Sequence, residues 1–178
     1  MVKSYELLRD HPVNRERAAK GLRPANAIWL WGQGRRPRLQ NFEERFGVKG
    51  VMVSAVDLLK GIGRLSGMTV CSIPGATGYI DTDYEAKRDA ALRELRAGRD
   101  LAYIHVEAPD ECGHRGETEN KVRAIEDIDR RILTPLLAEL GEMGEYAILI
   151  MPDHPTPLAL RTHTADPVPY LLYRSGQE

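Results

Sequence analysis

Short apolar runs alternate with longer amphipathic stretches along this chain of 178 residues. Ala27–Trp31, Gly50–Ser54, Met68–Ile73, Leu101–Val106, Tyr146–Met151 and Pro169–Tyr173 are brief, partly β-branched or aromatic, and stopped by glycine, proline or charge. That pattern predicts strands. The run at Tyr146–Met151 ends in Asp153-His154 between Pro152 and Pro155 and reads as a buried strand with a stiffened loop beyond it. Helical spacing appears between the runs. A short helix is expected after His11-Pro12, capped by Asn14 and ended by Gly21–Pro24. Others are expected at residues 42–46, 55–65 and 84–97, the last capped by Asp83 or Thr82. A long one over residues 118–140 would bury Val122, Ile125, Ile128, Ile132, Leu136 and Leu140 and kink at Pro135. Strands and helices in alternation imply an α/β fold, a mainly parallel sheet with helices on both faces.

Charge is nearly balanced, with 25 basic and 26 acidic residues. No field strong enough to select nucleic acid or an acidic membrane surface is expected. No apolar run approaches the roughly 18–20 residues that span a bilayer. The N-terminus is polar and has no signal-peptide core. Two cysteines, Cys71 and Cys112, make no disulfide framework, so free thiols and a cytoplasmic location are expected.

The candidate chemistry sits after two of the strands. Asp110 and His114 are four apart behind Leu101–Val106, on one face if that segment is helical. Asp153 and His154 follow Tyr146–Met151, and His163 closes the same loop. In open α/β sheets, sites collect beyond the carboxyl ends of strands. Mixed carboxylate and imidazole donors suit Zn or Mn, which polarise phosphoryl oxygens and activate oxygen nucleophiles. Each feature has a plainer reading: a proline-bounded turn for Asp153-His154, core packing for His105, Trp29 and Trp31, and a solvated loop for Arg35, Arg36 and Arg38. Cys112 lies among oxygen and nitrogen donors and is the weaker ligand candidate, and Lys60 is a candidate anion contact or a surface lysine.

The segments His11–Arg17, Pro24–Gly34, Gly75–Gly78 with Asp81–Tyr84, His105–His114, and Pro152–Pro157 with Arg161–Thr164 and Pro167–Pro169 resemble one family. It is the cofactor-independent (2,3-bisphosphoglycerate-independent) phosphoglycerate mutase of the archaeal type, within the alkaline phosphatase superfamily. The resemblance implies a partial alkaline-phosphatase-like core and interconversion of 3- and 2-phosphoglycerate in glycolysis. It implies two divalent metal ions, Mn or Zn: one held by Asp110, His114 and His163, the other by Asp153 and His154 with an aspartate and a nucleophilic serine from the family's N-terminal part. Lys60 becomes a candidate contact to the substrate. That N-terminal motif has no counterpart here, and Ser54, Ser66 and Ser72 do not lie in it. The expectation is therefore the C-terminal part of such an enzyme. Residues 1–26 would be the tail of an inserted substrate domain, and residues 27–178 the end of the metalloenzyme domain. Partnership with the missing half, or self-association, is expected, and the chain alone is expected to be inactive. A related phosphotransferase, a phosphate or phosphonate ester hydrolase, and a non-catalytic metal-binding module are the alternatives.

Overall fold

The computed structural model describes residues 1–176. The chain divides into two compact units, Met1–Pro37 and the residues from Arg38 onward.

In the first unit, α1 (Val2–Leu8) and α2 (Pro12–Ala19) precede an irregular tail. The cap of α2 is His11, whose Nδ1 accepts from Val13 N at 3.3 Å, and not Asn14. Asn14 instead lies buried within the helix and clasps Leu8 O and both backbone groups of Ala25. Ala27–Trp31 forms no strand, and Trp29 and Trp31 are 76% and 85% exposed rather than core residues. A strand needs a backbone ladder to a neighbouring strand; here Ile28 N donates to the Ser4 hydroxyl at 3.0 Å, and among the described residues no ladder forms.

The second unit begins with α3 (Phe42–Phe46), capped by Asn41. A three-stranded parallel sheet follows, in the order β2-β1-β3, from β1 (Gly50–Val53), β2 (Thr69–Val70) and β3 (Leu101–Ile104). The crossovers are α4 (Asp57–Leu65) and α5 (Tyr84–Arg96), which flank the sheet. Val51, Val53, Cys71, Ala90 and Ala91 form the buried cluster, with Ile73, Ala102 and Ile104 against it. Gly63, which interrupts the helical pattern of α4, has a packing reason. A Cβ there would lie 3.0 Å from Val70 and 3.1 Å from Met52, so the missing side chain lets α4 approach the sheet.

Beyond β3 come α6 (Ala108–Arg115) and a helical rod made of α7 (Thr118–Asp127), a π-helical stretch at Ile128–Leu133 and α8 (Thr134–Met143). The expected single helix is thus interrupted before Pro135, which sits in the first turn of α8 where its missing N–H costs little. Only part of the predicted stripe is buried: Ile132 and Leu140 are inside, while Val122 and Ile125 are exposed. The chain ends in β4 (Ala147–Ile150) paired antiparallel with β5 (Leu171–Arg174). The apolar sequence of β4 is not buried as expected, because burial needs a covering layer. Leu149 and Leu172, directly opposite each other, are 58% and 53% exposed.

Candidate metal centre

The site is assembled where β3 hands over to α6. Helix α6 carries Pro109 in its first turn, and the acidic Asp110 and Glu111 beside it favour the positive end of the helix dipole. It stops at Gly116 in the left-handed conformation. Spacing of four residues puts Asp110 and His114 on one face, with Asp110 Oδ2 3.4 Å from His114 Nε2. The loop between β4 and β5 returns over this face. His163 brings its Nε2 to 3.0 Å from His114 Nε2 and 3.3 Å from Asp110 Oδ1.

These three residues offer ligand atoms that all lie within 4.8 Å of one another. A tetrahedral ion with bonds of about 2.0–2.1 Å would place its donors about 3.3 Å apart. The contacts between the residues, 3.0 Å between the two imidazoles and 3.3 and 3.4 Å from them to different oxygens of the Asp110 carboxylate, are close to that edge length, so the donor set is compatible with a cation of this kind. The ring orientation agrees. His114 Nδ1 lies 2.9 Å from Arg161 O, and a carbonyl only accepts, so Nδ1 carries the proton and Nε2 presents a lone pair to the cluster. Arg161 holds that carbonyl from a left-handed backbone (φ 54°), rare for a non-glycine residue and typical of functional loops.

Asp153 and His154 lie beside the three donors and not among them. Asp153 Oδ1 accepts from His154 N at 3.0 Å, and Oδ2 lies 3.4 Å from His154 Nε2. The His154 ring stacks on His163 with centroids 3.7 Å apart. The structure thus brings the five residues into one neighbourhood as a group of three donors and an adjacent pair. Cys112 is buried in α6 and lies outside the donor group. Lys60 is ion-paired with Asp57 at 2.7 Å.

A polar floor lies under the cluster. His105, just past β3, has Nδ1 3.4 Å from Ser54 Oγ. Burial pushes its imidazole below the ordinary value, against the nearby Asp153 charge. Lys87 on α5 is fully buried and donates to His105 O at 3.4 Å. Burial pushes this ammonium down to about 8, with Glu107 opposing the change. Burial likewise raises the Glu107 carboxyl. Spacing singles out none of Lys87, Glu107 and Thr156 as site residues, although Glu107 and Thr156 lie within segments that carry the family resemblance. Their signal is a charge or hydroxyl at a helix or loop position that packs inward, which spacing alone does not reveal.

Comparison with known proteins follows the same lines. The model of the Metalloenzyme superfamily matches residues 10–178. The chain is 52% identical over 173 residues to a 2,3-bisphosphoglycerate-independent phosphoglycerate mutase of Methanosarcina acetivorans, covering 97% of this chain and 43% of that protein. It is 53% identical over 177 residues to a probable enzyme of the same name from Geobacter sulfurreducens, covering 99% of this chain and 44% of the relative. Among solved structures, a Pyrococcus horikoshii protein superposes with a TM-score of 0.77 at 33% identity, over 97% of this chain and 45% of its own. A cofactor-independent phosphoglycerate mutase from Thermoplasma acidophilum gives 0.59 at 29% identity, over 98% and 40%. The chain spans less than half the length of these relatives.

Proposed function

The chain belongs to the Metalloenzyme superfamily, and from that premise we propose that it forms the metal-holding part of a phosphoglycerate mutase. The proposed reaction interconverts 3- and 2-phosphoglycerate, with two divalent ions, Mn or Zn. The observation that carries this reading is the convergence of Asp110, His114 and His163 in a chain half-identical to proteins of that name. Asp110, His114 and His163 would hold one ion, and Asp153 with His154 would contribute to the other. A bound divalent ion supplies positive charge that polarises phosphoryl oxygens and lowers the pKa of a coordinated hydroxyl. The residues of this chain orient the donors: the Arg161 carbonyl fixes the tautomer of His114, and the stacked His154 restrains the His163 ring.

Phosphoryl transfer through a covalent step needs a nucleophile that can reach the substrate. Ser54 and Ser66 are buried, and the Thr156 hydroxyl is committed to Asp110. The family resemblance assigns the phosphoryl acceptor to a serine in the N-terminal part of such enzymes, a motif in which the exposed Ser72 does not lie, and the chain alone is expected to bind metal without mutase activity. Its partner is that N-terminal part or a second copy, consistent with the uncovered β4–β5 ribbon. The free thiols Cys71 and Cys112 suit a reducing, cytoplasmic setting, and among the described residues no helix is long and apolar enough to cross a membrane.

A chimera tests this reading. The matching region of the Geobacter sulfurreducens relative is replaced by this chain, and conversion of 3- to 2-phosphoglycerate is measured with Mn. Activity is expected, and it should vanish on Asp110→Ala. Lys60→Ala should raise KM more than it lowers kcat if Lys60 meets the substrate's anionic groups. A folded, metal-loaded chimera without mutase activity would overturn the proposal.

A further inference from the structure

We infer that Thr156 and Lys121 are positioning residues that clamp the loop 152–165 onto α6 and hold Asp110 at ligand spacing. The inference rests on the reading of Asp110, His114 and His163 as metal donors. Thr156 is 5% exposed, and its Oγ1 donates to Asp110 Oδ1. The same oxygen lies 3.5 Å from His154 Nδ1. One buried hydroxyl therefore stands between a residue of the three-donor group and a residue of the adjacent pair. An ionised carboxylate only accepts, and the hydroxyl has a single proton, so this bond fixes the rotation of the Asp110 carboxylate. Its Oδ1 then faces His163 and its Oδ2 faces His114.

Lys121, on α7, ties the backbone on both sides. Its ammonium donates to Pro109 O at 2.9 Å and to Thr156 O at 3.1 Å. Pro109 immediately precedes Asp110, and Thr156 follows His154 by two residues, so one cation bridges the two ligand-bearing segments. The approach is close enough to demand a glycine. A Cβ on Gly113 would lie 2.6 Å from Thr156 O and 2.9 Å from Lys121 Nζ. Neither Thr156 nor Lys121 belongs to the donor group, and both act through the residues that do.

The test uses the 178-residue chain with Co²⁺ as the probe, read by calorimetry and by visible absorption, with thermal unfolding of the metal-free protein to establish folding. Thr156→Val is expected to lower Co²⁺ affinity about 10–100-fold and to shift the absorption bands, as loss of an outer partner of a ligand does. Thr156→Ser, which restores the hydroxyl, should recover wild-type affinity and spectrum. Lys121→Met should weaken binding and Lys121→Arg should largely restore it. Should Thr156→Val fail to fold, this lysine pair decides. Wild-type affinity and spectrum in Thr156→Val, or equal loss in Val and Ser, would overturn the inference while leaving the metal reading intact. Failure of the wild-type chain to bind Co²⁺ would overturn the metal reading and this inference with it.

Discussion

Lys87 illustrates how single residues are tuned around the cluster. A fully buried ammonium is costly unless compensated, and its one hydrogen bond, to His105 O, is long. In the unfolded chain it keeps its proton up to the ordinary value of 10.5, whereas in the folded state it loses it near about 8. Between those values the unfolded state binds more protons, so stability rises with pH. Denaturant unfolding across this range should show a rise that Lys87→Met abolishes, worth at most about 3 kcal/mol. At the ligands, Asp110→Ala or His114→Ala should weaken binding of a divalent ion sharply in calorimetry. His11→Ala should not, because His11 is occupied as the cap of α2. The ligand candidates were legible in the sequence because acid and imidazole at helical spacing after a strand is a pattern. The residues that orient them were not: Thr156 reaches Asp110 across 46 positions of sequence, and only the folded loop brings them together.

At the scale of elements, the regular pieces of the second unit follow from local chemistry. Asp83 caps α5 by accepting from Ala86 N at 2.8 Å, and Asp83→Ala should cost about 1 kcal/mol in unfolding free energy. Gly113 shows how an element and a loop are matched. Gly113→Ala would push Thr156 and Lys121 away, so a loss of about 1–3 kcal/mol in stability is expected. The strands β1, β2, β3 and β4 fall within apolar runs read from the sequence, and β5 overlaps one and runs a residue past it to Arg174, since period and proline punctuation are local signals. Ala27–Trp31 carries the same signal and forms no strand, because pairing depends on a neighbour that an apolar pattern cannot supply. The exposure of Val122 and Ile125 has the same origin: helical periodicity identifies a face, and the face stays open where nothing packs on it.

For the molecule as a whole, open apolar surface is the main consequence. Covering the exposed half of Leu149 or Leu172 would contribute about 1 kcal/mol each, so a partner on the β4–β5 ribbon has a ready source of affinity. Sedimentation of the isolated chain should show self-association that the double substitution Leu149→Lys with Leu172→Lys reduces; an unchanged profile would place the contact elsewhere. The convergence of β3, α6 and the β4–β5 loop on one cluster is also a property of the whole fold, since its residues lie up to 53 positions apart between Asp110 and His163. The most direct measurement is anomalous diffraction from crystals of the chain soaked in Mn²⁺ or Zn²⁺. The account predicts a peak bonded to Asp110, His114 and His163 at about 2.0–2.2 Å. A peak elsewhere, or none at saturating metal, would contradict it.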